Sequence, residues 1–242
     1  GKLNAADDLT LAGTLSISAD SEIEVIDTLT LSQAGGLDLG ANTLTLSGGG
    51  SLSTEVMTLD NANSKLLLNG ITLNKAVTTA DSSGLDVDAN SSVTAFEIGH
   101  ETPLSIADGV TLSGGVDVSA GSIKLNETGT LASTVTMSGG TLDVDETFTL
   151  SGALTQSGNL TIDVLTDKTL TYSGASIVLG ANTLTLSGGG TLSNTNALVL
   201  NNADSLLSLA GILKIGDVAA SNELGYGTHA ANPGKGVQVT SS

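Results

Sequence analysis

Two pairs of aspartates are the residues of this sequence best placed to do chemistry. Asp86 and Asp88 lie in one LDVD stretch, and Asp143 and Asp145 lie in another. Alternating apolar and polar residues predict a strand, in which residues i and i+2 share a face about 7 Å apart. We expect both pairs to point outward. Carboxylates at this separation could act as acid and base in glycoside hydrolysis, or supply oxygen ligands to Ca²⁺.

The charge balance of the chain bears on both possibilities. The 242 residues include 25 acidic residues, seven Lys and no Arg, and the formal net charge is −18. Polysaccharide cleavage usually also needs a positive group near the developing charge. The scarcity of cations therefore disfavours an enzyme, and no catalytic residue is predicted. Two interpretations stay open for the four aspartates: candidate Ca²⁺ ligands, or an acidic face in solvent. No other cofactor is predicted.

The same composition excludes several classes of partner. Nucleic-acid binding relies on Lys and Arg that displace counterions, so no nucleic-acid partner is expected. No apolar run reaches the 18–20 residues of a membrane-spanning helix, so no membrane insertion is expected. The chain has no Cys, which excludes a disulfide frame and a thiolate metal site. This composition fits a secreted protein, extracellular or at a cell surface.

Histidine and threonine offer two further candidates. His100 and His229 are isolated from other metal ligands in the sequence, so we interpret them as loop residues. Thr-Leu-Thr occurs at 28–30, 43–45, 169–171 and 183–185. A flat ice-binding face would need such a pair on every turn of the fold. The irregular intervals favour ordinary β-propensity instead.

The elements that must position these residues are very short strands. Units of two or three alternating residues, each followed by Gly, Asn or Ser, recur about every six to eight residues, as in LTLSGG at 44–49 and VTLSGG at 110–115. Gly and Asn supply the backbone conformations of sharp corners. The triple glycines at 48–50 and 188–190 are predicted to be such corners, because no phosphate-binding GK[ST] follows them. Helical periodicity is missing.

A long internal repeat shows how the strands are arranged. Fourteen of fifteen residues are identical between 39–53 and 179–193. Weaker similarity extends the match to two blocks, 3–73 and 142–214. Short strands and corners in a repeating chain predict an all-β fold, a parallel β-solenoid (β-helix). We expect about 20 residues per turn, although about 14 per turn would divide the 140-residue offset equally well. An offset of 140 residues then places the two blocks about seven turns apart, with equivalent side chains on one column.

Three stretches depart from the repeat. Residues 75–84 and 96–104 are predicted to loop out from the turns. Residues 1–222 are predicted to form the solenoid. Residues 223–242 lose the period and are predicted to be an irregular tail that serves as a cap, a linker or a latch for assembly.

With these repeats, the chain resembles bacterial surface proteins built from β-strand repeats, such as autotransporter passengers and repeat adhesins. The resemblance rests on NTLTLSGGG at 42–50 and 182–190, VTLSGGVDVSAG at 110–121 and TVTMSGGTLDVDE at 134–146. It covers about residues 3–217. It implies a right-handed parallel β-helix outside the cell, and it carries over no catalytic residue.

The expected function is therefore structural. We expect a non-enzymatic extracellular protein of adhesin type, a rigid rod that displays polar faces and loops to a surface glycan or a protein receptor. The alternative is a homo-oligomer, the subunit of an extracellular filament or sheath built by end-to-end stacking of solenoids. A polysaccharide-binding or polysaccharide-cleaving β-helix is the third possibility.

Overall fold

The protein is all β, and the part of the chain that the structure describes contains no helix. The computed structural model describes residues 1–12, 15–32, 37–54, 57–79, 83–98, 100, 102–107, 109–119, 121–194 and 196–210, and the backbone of 214–215, 224–226 and 237–240.

The strands are short and follow one another closely along the chain. Those of the first four turns are β1 (Lys2–Ala5), β2 (Leu9–Leu11), β3 (Ser21–Val25), β4 (Thr28–Leu31), β5 (Leu37–Asp38), β6 (Thr43–Ser47), β7 (Ser51–Thr54), β8 (Met57–Leu59), β9 (Lys65–Asn69), β10 (Thr72–Leu73) and β11 (Val77–Thr79). Those of the middle turns are β12 (Gly84–Ala89), β13 (Ser91–Ile98), β14 (Thr102–Ile106), β15 (Thr111–Val118), β16 (Ser122–Leu125), β17 (Thr130–Leu131) and β18 (Thr134–Met137). The remaining strands are β19 (Thr141–Val144), β20 (Phe148–Leu150), β21 (Leu154–Gln156), β22 (Leu160–Val164), β23 (Thr169–Tyr172), β24 (Ile177–Val178), β25 (Thr183–Gly188), β26 (Thr191–Asn194), β27 (Leu198–Leu200), β28 (Leu206–Ala210), β29 (Lys214–Ile215), β30 (Leu224–Tyr226) and β31 (Val237–Thr240).

Stacking of these strands confirms the predicted parallel β-solenoid. Every strand pairs in parallel with strands of the neighbouring turns, and the ladder joins residues about 20 positions apart, as in Lys2 with Glu22 and Thr141 with Thr161. About ten turns are described. Only the stacking of successive turns covers the apolar side of each short strand, because no strand pairs with its own neighbour in the chain.

The strands form three faces. Face A is a twelve-stranded sheet in the order β1-β3-β6-β9-β12-β14-β16-β19-β22-β25-β28-β31. Face B is the main path of a second sheet, β2-β4-β7-β10-β13-β15-β17-β20-β23-β26-β29. Face C consists of β5, β8 and β11, then β18 and β21, and last the separate three-stranded sheet β24-β27-β30. In two middle turns the long strands β13 and β15 run across faces B and C without a break.

The core is a stack of aliphatic side chains along the rod. Leu44, Leu46, Leu66 and Leu68 are each at most 1% exposed, and the ladder pairs Leu44 with Leu66 and Leu46 with Leu68. Full burial of one such side chain contributes about 1.5–3 kcal/mol. The larger side chains Phe96, Phe148 and Tyr172 are also fully buried. The apolar residues of the alternating sequence therefore point into this core, and the polar residues between them point to the outer faces.

Glycine forms the sharp corners that the sequence predicts. Gly48 has φ +108° and Gly188 has φ +87°, a backbone region that favours glycine. A Cβ on Gly48 would lie 2.4 Å from the carbonyl oxygen of Val25, and one on Gly188 would lie 2.0 Å from that of Val164. Both corners therefore need glycine for backbone conformation and for close approach of the turn below.

The duplicated blocks return to the same face but not to the same column. Strands β6 and β25 both lie in face A, seven steps apart. The ladder that starts at Leu44 nevertheless ends at Gly188, four residues beyond the equivalent Leu184. The prediction of one shared column is wrong, because the turns differ in length: Lys65 pairs with Gly84, but Leu160 pairs with Leu184.

The two stretches predicted to loop out are largely part of the solenoid. Within 75–84, Val77–Thr79 form β11, and Val77 and Thr79 are buried. Within 96–104, Phe96 and Ile98 are buried in β13, and Pro103 stands in β14 opposite Lys124. Proline lacks the N–H that a ladder uses and normally marks an edge, but here flanking buried residues keep it in the sheet. Residues 80–82, 99 and 101 lie outside the described part.

Strand pairing also continues beyond residue 222. Leu224–Tyr226 pairs with β27, and Val237–Thr240 pairs with β28. The stretch predicted as an irregular tail thus contributes these two backbone segments to faces C and A. The rest of 223–242, including His229, lies outside the described residues.

Candidate functional site

The first aspartate pair lies on the outside of face A, as predicted. Asp86 and Asp88 flank the buried Val87 in β12. Asp86 forms an ion pair with Lys65 on the neighbouring strand β9. Asp88 is exposed, and the ladder to β9 shifts register just beside it, between Val87 and Ala89. The two carboxylates share a face, but that of Asp86 is already paired with the ammonium group of Lys65.

A single lysine forms ion pairs with both aspartates of the second pair. Lys124 Nζ lies 2.8 Å from Asp145 Oδ2 and 3.7 Å from Asp143 Oδ2. All three side chains are about one-third exposed. The ladder places Lys124 of β16 directly opposite Asp143 of β19. An ammonium group thus stands where a Ca²⁺ ion between these carboxylates would have to lie.

No group of three or more acidic, histidine or cysteine side chains in the described part of the chain is arranged to hold a metal ion. Ca²⁺ takes six to eight oxygen ligands, so each aspartate pair would need backbone or water oxygens as well. Ca²⁺ at Asp86, Asp88, Asp143 and Asp145 stays a prediction, and the structure adds a competing lysine to each pair.

Histidine and the threonine pairs do not form a common site. His100 is exposed on a bend after β13. Thr-Leu-Thr at 28–30 and 169–171 lies on face B, whereas 43–45 and 183–185 lie on face A. The four threonine pairs are therefore divided between two faces.

Face B carries a different pattern, which is continuous. From β2 to β26, within the described residues, the outward side chains of face B are Ser or Thr, apart from Ala95 of β13. Glu97 and Asp117 stand where β13 and β15 have already run into face C. Thr72 stands between Ser51 and Ser92 on the ladder, and Ser92 is opposite Ser113. In the described strands from β1 to β28, the charged residues lie on faces A and C instead. From β2 to β26, one face of a strongly acidic protein is thus uncharged and covered with hydroxyl groups.

A shallow groove of about 560 Å³ lies at the edge of this hydroxyl face, at the corner between faces A and B. Its lining comes from four successive turns and includes Gly49, Gly70, Thr72, Ser92 and Thr111. No charged residue lines it. We call it the corner groove.

The floor of the corner groove is fixed by the buried Ser91. Its Oγ accepts hydrogen bonds from the backbone N–H groups of Gly70 (3.1 Å) and Ile71 (3.2 Å) and donates to the carbonyl oxygen of Ala89 (2.8 Å). Asn90 Oδ1 accepts from the backbone N–H of Thr111 at 2.9 Å. These bonds join three turns and hold the groove open.

A charged cluster covers the start of face A. Lys2 Nζ lies 3.3 Å from Glu22 Oε2 and 3.0 Å from Glu24 Oε2, and Ser47 Oγ donates to Glu22 Oε1 at 2.7 Å. The hydrogen bond from Ser47, and then that from Lys2, lower the pKa of Glu22 below its ordinary value. The hydrogen bonds that Lys2 donates to Glu24 and then to Glu22 raise the pKa of Lys2. The cluster ties the first three turns together.

Polar groups also lie inside the rod. The Tyr172 hydroxyl donates to the carbonyl oxygen of Ala175 (2.5 Å) and accepts from the backbone N–H of Leu154 (3.0 Å). Burial raises the pKa of this hydroxyl. Gln156 Nε2 donates to the carbonyl oxygen of Leu179 at 3.4 Å, while its buried Oε1 has no partner among the described residues. These contacts replace backbone pairing where face C breaks between β21 and β24.

Sequence reasoning found the aspartate pairs but missed the hydroxyl face and the corner groove. Serine and threonine alternate with leucine on several faces, so the sequence shows no difference between face A and face B. The groove needs residues from four turns, and their alignment depends on the length of each turn. The available signal was weak and consists of the uncharged outward residues Ser51, Ser53, Thr72 and Ser92.

Comparisons with protein-family models, with curated proteins and with solved structures find no match to this chain. No helix among the described residues is long and apolar enough to cross a membrane. The function therefore has to be inferred from the fold and its surfaces.

Proposed function

We propose that the protein is a non-enzymatic extracellular structural protein of adhesin type, a rigid rod that holds polar faces at fixed spacing. The observation that supports this most is the unbroken parallel stack of face A from β1 to β31. Its inward side chains form one continuous aliphatic core. Such a stack extends in one direction only, by about 4.8 Å for each turn, so its natural use is to set a distance.

The surface chemistry agrees with a display role. The acidic side chains best placed for catalysis are paired with lysines: Asp86 with Lys65, and Asp143 and Asp145 with Lys124. The net charge of −18 favours outer faces that stay hydrated and do not associate non-specifically. We therefore assign the outer faces, rather than a catalytic centre, to the function.

Small-angle scattering and electron microscopy of the purified chain over a concentration series test the rod. About ten turns predict separate particles with a long dimension of roughly 50 Å or more, unchanged by dilution. Round particles would contradict the rod. Growth of fibres with concentration would contradict a monomeric spacer.

Fibre growth is the outcome expected of the alternative, a filament built by end-to-end stacking. In the given chain such a contact would involve the first turn, in which β1 pairs with β3, and Leu3, Leu9 and Leu11 are partly buried. A parallel strand from a second copy could pair with β1 and cover these leucines. Replacing Asn4 and Thr10 in the first turn with proline removes N–H donors at this edge, and should stop fibre growth while leaving single rods.

A further inference from the structure

We propose that the corner groove binds a neutral glycan chain lying along the axis of the rod. This is a binding activity that stands apart from the spacing role, since a rod can set a distance without it. The groove volume of about 560 Å³ falls within the range of ligand sites, about 300–1,000 Å³. Its lining from four successive turns gives a length of roughly 15 Å along the axis, which suits an extended ligand.

The chemistry of the lining selects an uncharged, polyhydroxylated ligand. The groove offers hydroxyl, amide and backbone groups and no carboxylate or ammonium group. A cationic ligand would find no counter-charge there. An acidic polysaccharide would be repelled by the net charge of −18. A neutral glycan presents donors and acceptors together, as the groove does.

Several hydrogen-bonding groups of the groove are available to such a ligand. The hydroxyl of Thr111 and the Nδ2 of Asn90 have no hydrogen-bond partner among the described residues, although the Thr111 N–H and the Asn90 Oδ1 bind each other. Ser92 Oγ donates to Thr72 Oγ1 at 3.2 Å, which leaves the Thr72 hydroxyl hydrogen free to donate outward. Donors held by the framework of bonded turns lose little entropy on binding.

The groove is not a necessary result of the repeated corner sequence. Above Gly49 the space is open: a Cβ there would meet only the Gly70 carbonyl oxygen, at 4.0 Å. At the equivalent Gly189 of the second block, a Cβ would lie 2.3 Å from Thr166 Oγ1. The same triple glycine is therefore covered in one block and open in the other. The open copy adjoins the middle turns, where β13 is long and shifts register between Ser92 and Ala95.

The test measures binding of a defined panel of oligosaccharides. Pentamers of β-1,4-linked glucose and N-acetylglucosamine, a linear mannan fragment and a linear galactan fragment are the neutral members, and a polygalacturonate fragment is the acidic one. Saturation-transfer NMR and titration should show binding of at least one neutral member and none of the acidic one. No aromatic residue lines the groove, so we expect a weak interaction, measured at millimolar ligand.

Two variants localise the binding. Thr111→Val removes one hydroxyl without changing the shape, and Ser92→Tyr fills the groove. Each should reduce the affinity at least tenfold. Thr149→Val and Thr149→Tyr are the matched controls, because Thr149 points outward from the same face on β20, outside the groove. Both should bind like the parent, and circular dichroism and the thermal midpoint verify folding of all four.

The proposal is overturned if no neutral oligosaccharide binds, if the acidic one binds equally well, or if the controls lose binding as the groove variants do. Preference for peptides in a parallel screen would also overturn it. Rods in electron microscopy without any glycan binding would reject the groove as a site and leave the proposed structural role intact.

Discussion

At the residue scale, corner glycines are required by contact with the turn below. A Cβ on Gly152 would lie 1.7 Å from the carbonyl oxygen of Ser133, whereas one on Gly139 would lie 3.8 Å from that of Asn159. Neither glycine has a left-handed backbone conformation. Substitution at these two positions therefore tests the effect of steric contact alone, without a change in the strain of the backbone conformation.

Gly152→Ala should lower the free energy of unfolding by about 3 kcal/mol, since overpacking against fixed backbone costs about 1–3 kcal/mol or more. Gly139→Ala, the control, should change it by less than about 0.5 kcal/mol. Urea unfolding followed by circular dichroism measures both. Equal losses would show that the Ser133 carbonyl can move aside.

Glu22 gives the first turns a pH-dependent contribution to stability. Its pKa is lowered in the folded protein by Ser47 and then by Lys2. The contribution is therefore fully present above the ordinary glutamate pKa and is lost as the pH falls through the lower, folded value. Stability should decline over this acidic range.

Ser47→Ala should bring the pKa of Glu22 back towards its ordinary value, as measured by NMR titration of the Glu22 side chain. Ser53→Ala, on an outward position of β7, is the control and should leave it unchanged. Glu22→Gln should flatten the acid limb of a stability–pH curve. A Glu22 titration unaffected by Ser47→Ala would assign the shift to Lys2 alone.

Tyr172→Phe tests the polar contacts inside the rod. The change leaves the buried N–H of Leu154 and the carbonyl oxygen of Ala175 without this partner. An unsatisfied buried group costs about 1–3 kcal/mol, so we expect a loss of about 2 kcal/mol in denaturant unfolding. Thr171→Val, on the outer side of the same strand, should cost far less. A neutral Tyr172→Phe would mean that the turn rearranges to pair these groups.

At the scale of elements, the ladder between β16 and β19 decides whether Asp143 and Asp145 can hold Ca²⁺. Lys124 competes with the ion at both carboxylates. Lys124→Gln should therefore increase the rise in thermal midpoint on adding Ca²⁺, because a bound ion stabilises the folded state by mass action. Calorimetry with Ca²⁺ and with a chelator measures the difference.

Lys168→Gln is the matched control. It removes the same charge at a lysine whose Nζ lies 2.5 Å from Oε2 of Glu146, the residue after Asp145 in the sequence. The same small response to Ca²⁺ in the parent and in both variants would identify Asp143 and Asp145 as a solvated acidic face. A response in Lys124→Gln that Asp145→Asn abolishes would establish the site.

At the scale of the whole molecule, local alternation of apolar and polar residues predicts the fold class. It predicts an all-β parallel stack with about 20 residues per turn, which the structure confirms, and its alternating leucines, such as Leu44 and Leu66, form the core of that stack. It could not give the register, because the number of residues at each corner is set by tertiary packing. As a result, the ladder that starts at Leu44 reaches Gly188 instead of Leu184, the equivalent residue of the second block.

The same limit explains the two predicted loops and the groove. Lys75, Pro103 and the polar residues around them break the local pattern, yet Val77 and Phe96 are buried and keep their segments in the stack. The corner groove depends on the alignment of Gly49, Gly70 and Thr111 across turns, which no local pattern encodes. Sequence reasoning therefore identifies the strands, and the structure is needed to bring their outward residues together.

The direction of the hydrogen bonds has a mechanical consequence. All paired strands belong to neighbouring turns, so the ladder bonds run along the axis of the rod. A pull applied between the two ends therefore loads the bonds of a terminal turn one after another, while the turns behind it share the same tension over the ladders of all their faces. Each turn of about 20 residues that peels away releases roughly 65–70 Å of extended chain. Under tension the rod becomes an extensible tether, which lengthens in steps of one turn and keeps its remaining surface folded.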